Sequence, residues 1–226
     1  MRRFQEPLVP AQLGRWKNTL KMEQIWRNIC AHYDVPEDVT NVWFARIEQH
    51  LSEDSPTRAY HNWQEMMQRK HEHLSDCAPS IALAAFFQYY HFDGNRSCVQ
   101  QNCEVFEEFC RDAMIEDEHA KSLVCNLLGR KTPDNEVTWS HDDEANLLQD
   151  VDLVVLAAPP EEYKHYTQLL RHEYANLDDE SYKMMRVKVL ETLLLIPCIY
   201  ATTEYHEKYE ELARANIRNE IRELKQ

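Results

Sequence analysis

The 226-residue chain is acidic: it carries 39 aspartate and glutamate residues against 25 lysine and arginine residues, a formal net charge of −14. This charge repels nucleic acid phosphates and anionic membrane surfaces, so neither nucleic acid nor membrane partners are expected. Only three glycines are present, which leaves little material for the glycine-rich loops that bind nucleotide phosphates.

Apolar residues recur with helical spacing along most of the chain, which predicts an all-α fold of about nine or ten helices. The apolar content is sufficient for one core and no internal repeat is present, so a single domain is expected over residues 1–226. Its core is expected at about residues 16–224, preceded by a flexible N-terminal arm over 1–12.

Prolines, caps and loop residues divide this pattern into segments. In chain order, helices are expected at about Leu13–Tyr33, Thr40–Leu51, Arg58–Leu74, Ile81–Tyr90, Cys98–Asp112, Asp117–Leu128, Glu161–Ala175, Asp179–Tyr200 and Glu204–Lys225. Two other segments are not assigned to these helices. Gly129–Asp142 is typical of a loop, and Leu147–Ala157 is a short apolar segment that ends before Pro159 and Pro160.

The features that signal targeting and redox compartment favour a cytoplasmic protein, with a nuclear location left open. No apolar h-region follows the charged start Met1–Glu6, and no window approaches the roughly 20 apolar residues of a bilayer-spanning helix. The seven cysteines include no Cys-x-x-Cys pair, so reduced thiols are expected rather than disulfides or a zinc site. The oligomeric state is left open.

Two histidine-containing stretches suggest metal ligands but are better explained by a helix end and by surface charge. His141-Asp142 precedes an apolar segment, where Ser140 or Asp142 is expected to cap a helix. In His71-Glu72-His73 the two imidazoles are two residues apart. On a helix they point about 200° apart and cannot bind one ion.

Two other positions need a chemical explanation. Tyr60-His61-Asn62 is expected early in a helix, where a lone histidine is more often structural than functional. Asp152 stands directly against the apolar run Leu153–Leu156. A carboxylate that enters a core needs a partner or a metal, because unpaired burial costs several kcal/mol. A helix N-cap is the alternative explanation for Asp152.

Several blocks taken together resemble the predicted metal-dependent HD-superfamily phosphohydrolases. In order, the blocks are Tyr60-His61-Asn62, Ala84–Phe87, Asp150–Leu153, Arg171–Tyr174, Tyr182–Leu190 and Ala213–Asn216 with Glu220. The similarity extends from about Trp16 to the end of the chain, and the order and spacing of the blocks are more specific than any single block. The resemblance implies a single HD-domain-like helical bundle.

In that family a divalent metal is bound by a first histidine, an adjacent His-Asp pair and a later aspartate, and it activates water for attack on phosphorus. The resemblance places His61 at the first position and Asp152 at the last. Gln88 and Tyr89 replace the His-Asp pair. Gln88 offers only a neutral amide oxygen. Tyr89 brings no negative charge at neutral pH, because the unperturbed pKa of tyrosine is about 10. The implied metal site is therefore degenerate.

Other residues are candidates to compensate for the lost ligands or to bind phosphate. Asp93 and Asn102 match an acid and an asparagine that the family carries after the pair. His91 lies about 300° round a helix from Gln88, which makes it a candidate ligand of a rotated site. An active enzyme would have three phosphate-facing cations, Arg58, Lys131 and Arg171, whose alternative explanation is surface charge and ion pairs.

Two functions of different classes are consistent with these residues. The first is a catalytically degenerate HD-domain-like protein that binds or scaffolds an unidentified protein partner or small ligand, with no cofactor expected. The second is an active phosphohydrolase for a small phosphorylated metabolite or nucleotide, with Mn, Fe, Zn or Mg bound by His61, Asp152 and a compensating ligand. The departures from the family pattern fall on the metal-ligand positions, whereas the other blocks of the resemblance are kept. This distribution favours the first function.

Overall fold

The computed structural model describes residues 10–53, 55, 57–94, 97–129 and 143–226, with side chains from Asn18 onward except that of Asp143. Over these residues the fold is all-α, as predicted, with ten α-helices, two 3₁₀ segments and one isolated bridge between Phe92 and Ser97. The α-helices are α1 (Pro10–His32), α2 (Glu37–Ser52), α3 (His71–Leu74), α4 (Pro79–Phe87), α5 (Val99–Asp112), α6 (Glu118–Leu128), α7 (Asp143–Leu153), α8 (Pro160–Glu173), α9 (Asp179–Leu195) and α10 (Thr203–Leu224). The 3₁₀ segments are Met67–Lys70 and Val154–Ala157.

Helix α4 lies at the centre of the bundle. It begins at Pro79, where a missing backbone N–H costs no helical hydrogen bond, and every residue from Ser80 to Phe87 is buried. A helix that is apolar on all sides must be covered on all sides. Helices α1, α5, α6 and α7 provide this cover. No helix of the described part of the chain is long and apolar enough to cross a membrane.

Aromatic side chains join the helices around α4. The ring of Trp26 in α1 lies 5.1 Å, centroid to centroid, from both Phe86 and Phe109. Trp43 of α2 packs against the same Phe109 at 5.4 Å. The indole N–H of Trp26 donates to the carbonyl of Thr40 at 2.9 Å, so this buried donor is satisfied. Four helices therefore share one aromatic core.

The main difference from the sequence prediction falls on Arg58–Leu74, which was expected to form one helix. Residues 57–66 form turns, and helical structure begins only with the 3₁₀ segment that precedes α3. The cause is a side chain that captures backbone groups. Asn62 Oδ1 accepts hydrogen bonds from the N–H groups of Gln64 at 2.9 Å and Glu65 at 2.8 Å, groups that a continuous helix would pair with carbonyls.

Smaller differences occur at segment ends. Helix α9 ends at Leu195 rather than Tyr200, because Pro197 drives the preceding Ile196 into an extended conformation. The expected N-terminal arm falls partly outside the described residues, at 1–9, while residues 10–12 belong to α1. Residues 130–142 of the expected loop, which include the His141-Asp142 motif, also lie outside the described part of the chain.

Candidate functional site

Glu173, the last residue of α8, holds the turn that carries His61. Its Oε1 accepts hydrogen bonds from the backbone N–H groups of Tyr60 and His61, both at 2.8 Å, and its Oε2 lies 2.7 Å from His61 Nδ1. The Glu173 side chain is fully buried, and that of His61 is 16% exposed. Because a buried carboxylate needs partners, these three contacts explain both the position of Glu173 and the shape of the turn.

The contact with Glu173 also sets the orientation of the His61 ring. When Nδ1–H donates to a carboxylate, the lone pair of the neutral imidazole is on Nε2. The ring stacks on Phe92, with 4.3 Å between centroids, and contacts the ring of Tyr89 at 4.7 Å. A histidine held through Nδ1 in this way is typical of metal sites, where Nε2 binds the ion.

Asp152, near the end of α7, is bound by a buried cation. Lys70 Nζ lies 2.6 Å from its Oδ1, the Tyr89 hydroxyl donates to its Oδ2 at 2.6 Å, and Gln88 Nε2 is 3.5 Å from Oδ2. The side chains of Lys70 and Asp152 are 4% and 11% exposed. Asp152 is the penultimate residue of its helix, so the N-cap explanation is wrong. The carboxylate is buried because a lysine of the same chain neutralises it.

The turn after α4 positions Gln88 and Tyr89. Asn102 of α5 is fully buried, donates to the carbonyl of Gln88 at 2.8 Å and accepts from the backbone N–H of His91 at 2.6 Å. The guanidinium of Arg58 donates to the carbonyl of Tyr89 at 2.6 Å. These bonds fix the backbone of the turn and therefore the direction of the two side chains.

The four predicted ligand positions come together in the fold. His61, Tyr89 and Asp152 line one cavity of about 70 Å³, here called the His61 cavity, and Gln88 approaches Asp152 from the side. The rest of its lining is mostly apolar. This volume accommodates a few water molecules but no nucleotide. Gln88 Oε1 is buried without a hydrogen-bond partner among the described residues, which costs about 1–3 kcal/mol.

This donor set does not fit a divalent metal ion. Among the residues that the structure describes, no three histidine, cysteine, aspartate or glutamate side chains are arranged to hold one. Both oxygens of Asp152 are engaged, one by Lys70 and one by the Tyr89 hydroxyl. Tyr89 acts there as a hydrogen-bond donor rather than as a negatively charged ligand.

The candidate compensating residues do not complete the site. Helix α4 ends at Phe87, so the helical angle assumed for His91 does not apply. The His91 ring contacts that of His50, with 5.7 Å between centroids, and does not line the cavity described above. Burial, followed by the charge of His50, lowers the pKa of His91. Asp93 is exposed.

Two of the three cations that were expected to face phosphate donate hydrogen bonds to backbone carbonyls instead. Arg58 donates to three backbone carbonyls at 2.6 to 3.2 Å, and burial lowers its pKa. Arg171 donates to two carbonyls beyond the end of α8 and to the carboxylate of Asp179 at 2.7 Å. Lys131 lies outside the described residues.

Sequence reasoning missed the partners of both candidate residues. Glu173 belongs to one of the blocks that carry the family resemblance, and an acid at the end of a predicted amphipathic helix was the available signal for a buried partner. Lys70 gave no signal, because it lies in a polar run that was expected to be part of a helix. Only the fold brings it to Asp152.

Comparisons with models of protein families, with curated proteins and with solved structures found no match for this chain. The proposal for its function therefore rests on the sequence resemblance and on the geometry of the chain itself.

Proposed function

We propose that this chain is a catalytically degenerate HD-domain-like protein that acts as a binding or scaffold module. In this proposal the Lys70 ammonium stands in for the metal ion that the sequence resemblance implies beside Asp152. The observation that supports this most directly is the 2.6 Å contact between Lys70 Nζ and Asp152 Oδ1. Since Asp152 is the residue that the resemblance assigns to the metal, a lysine bound to it competes directly with a cation.

A buried ammonium strongly opposes metal binding. Two unit charges about 4 Å apart repel each other by about 4 kcal/mol at an effective dielectric constant of about 20, and a divalent ion doubles this cost. Only 4% of the Lys70 side chain is exposed, so solvent does little to screen the repulsion. A metal ion would bind at Asp152 only after Lys70 had left.

The donors near Asp152 are also too few for phosphoester hydrolysis. Metal-assisted hydrolysis needs an ion held firmly enough to lower the pKa of a bound water. Beside Asp152, the described lining of the cavity offers the imidazole of His61, and Gln88 turns its amide nitrogen, which cannot bind a cation, toward Asp152. The His61 cavity, at about 70 Å³, is too small for a phosphorylated substrate.

The alternative function is an active metal-dependent phosphohydrolase, and the contact between His61 Nδ1 and Glu173 Oε2 favours it. That arrangement suits a metal-binding histidine. An active phosphohydrolase would nevertheless require Lys70 to leave Asp152 and a new carboxylate to approach the metal. Arg58 already donates to backbone carbonyls and is not available to bind phosphate. The binding or scaffold role needs none of these rearrangements.

The test is the metal content and the hydrolytic activity of the purified protein. The chain is prepared without chelator or metal-affinity tag, its bound metals are measured by mass spectrometry, and turnover is assayed on phosphate esters and nucleotides with Mn, Fe, Zn or Mg added. We expect substoichiometric metal and no turnover. Stoichiometric metal that is lost in both His61→Ala and Asp152→Ala, together with turnover, supports the phosphohydrolase instead.

A further inference from the structure

A second and larger cavity, of about 480 Å³, lies on another part of the molecule. It is formed by α1, α3 and the beginning of α4, and it shares no lining residue with the His61 cavity. Its volume is within the range of about 300–1,000 Å³ that is typical of small-molecule sites. We call it the α1–α3 cavity.

The α1–α3 cavity has an apolar floor and a polar rim. Its floor is supplied by the buried side chains of Ile25, Ile29, Leu74 and Ala82. Its rim is supplied by exposed residues with polar side chains, namely Lys21, Gln24, Asn28, Glu72 and Ser75. A ligand that matches this lining has an apolar body and one polar end.

Among the residues that the structure describes, the rim offers one cation, Lys21, that makes no direct ion pair. Lys21 Nζ lies 3.0 Å from His71 Nε2, and His71 Nδ1 lies 2.7 Å from the carbonyl of Gln68. Because a carbonyl only accepts, Nδ1 carries the proton and Nε2 accepts from the lysine. Over the described residues, Lys21 therefore has a neutral imidazole as its hydrogen-bond partner and makes no ion pair. This is notable in a chain with a net charge of −14.

The rim charge selects among anions. Phosphate sites usually combine several cationic groups or a series of backbone N–H groups, whereas this rim has one ammonium. Glu72 Oε1 lies 3.6 Å from His71 Nε2, and its negative charge repels a dianion about twice as strongly as a monoanion. A single negative charge on an apolar body is the combination that the lining accepts.

We propose that the α1–α3 cavity binds a small amphipathic monocarboxylate, with the carboxylate on Lys21 Nζ and the aliphatic or aromatic body against the floor. The inference goes beyond the proposed loss of catalysis and does not depend on it, since the two cavities have no residue in common. It assigns a ligand class to a site that the metal-binding motifs do not include.

The test uses octanoate as the probe and isothermal titration calorimetry on the full chain. Octanamide, which has the same length and no charge, is titrated in parallel. We expect saturable octanoate binding that Lys21→Met weakens by about ten-fold, the effect of one charge-assisted hydrogen bond. Ser75→Trp, a substitution at an exposed rim position, should abolish binding by filling the mouth.

Lys164→Met is the matched control, because Lys164 is an exposed lysine of α8 that does not line the cavity. It should bind octanoate as the unsubstituted chain does, and circular dichroism checks that all variants are folded. The proposal is overturned if octanoate does not bind, if octanamide binds equally well, or if the Lys21 and Ser75 variants bind as tightly as the control.

Discussion

Lys70 and Asp152 form a buried ion pair in which Nζ and Oδ1 are 2.6 Å apart and 4% and 11% of the two side chains are exposed. The partners are separated by 82 positions in the sequence. Their contact connects the 3₁₀ segment before α3 to the end of α7, and the Tyr89 hydroxyl, in the turn after α4, donates to the same carboxylate. The pair is therefore both a structural connection and the feature that distinguishes this site from a metal centre.

Lys70→Met should destabilise the protein by about 3–5 kcal/mol, because it leaves the Asp152 carboxylate buried without a cation. Urea unfolding at neutral pH, followed by circular dichroism, measures the change. Replacing both partners, with Lys70→Met and Asp152→Leu together, should recover most of the loss. Lys121→Met is the control, since Lys121 pairs with Glu118 on the surface and its removal should have no measurable effect. A Lys70 variant as stable as this control would contradict the prediction.

Glu173→Gln should lower the free energy of unfolding by about 2 kcal/mol or more, because an amide has one acceptor oxygen for the three donors that Glu173 now satisfies. Chemical denaturation measures this change in the free energy of unfolding. The control Glu162→Gln changes an exposed acid of the same helix, and its effect should be much smaller. Equal effects of the two substitutions would show that the carboxylate of Glu173 does not hold the His61 turn.

The fold was predictable wherever the structure depends on neighbours in the sequence. Eight of the nine expected helices have counterparts, and the bounds of α5 and α6 agree with the expectation to within one residue at each end. The exception, Arg58–Leu74, fails because Glu173 and Asn62 take up backbone N–H groups that local periodicity assigns to a helix. Periodicity contains no information about a carboxylate more than a hundred residues away.

The candidate site was predictable in part for the same reason. The family resemblance predicts Gln88 and Tyr89 at two of the ligand positions, and in the structure both side chains contact Asp152. The cation that binds Asp152 was not identified, because the long-range contact of Lys70 follows no local spacing rule. The positive charges of Arg58 and Arg171 suited them to bind phosphate. Their charge alone does not show that their guanidinium groups already donate to backbone carbonyls.

Arg58→Met should destabilise the protein by about 2 kcal/mol or more, because it removes the donor of three buried or partly buried carbonyls, of which that of Tyr90 keeps a contact with His50 Nε2. Arg58→Lys should recover only part of the loss, since an ammonium lacks the planar fork of donors. Thermal and urea unfolding provide the measurement. If Arg58 instead faced phosphate, adding inorganic phosphate would stabilise the unsubstituted protein more than chloride at equal ionic strength, and the Met variant would lose that gain.

The stability should fall below about pH 6.5, in part because of His73. Its Nδ1 lies 3.0 Å from the Tyr205 hydroxyl, and burial, followed by the charge of Lys208, lowers its pKa from 6.5. The unfolded chain therefore binds a proton more readily than the folded one. The contribution is complete above the unfolded pKa and is lost as the pH falls through the folded pKa.

Urea unfolding at a series of pH values between about 7.5 and 5 measures this dependence. His73→Gln should flatten it, and His119→Gln, at an exposed position of α6, should leave it unchanged. Identical pH profiles for the His73 variant and the unsubstituted chain would contradict the assignment.

The most direct test of the central claim introduces the ligands that the family resemblance implies, with and without the lysine. Gln88→His and Tyr89→Asp together place a His-Asp pair beside Asp152, and Lys70→Ala removes the competing cation. After dialysis against zinc or manganese, the triple variant should retain about one equivalent of metal, while the double variant that keeps Lys70 should retain much less. Equal metal content in the two variants, or stoichiometric metal in the unsubstituted chain, would contradict the claim that Lys70 holds the place of the ion.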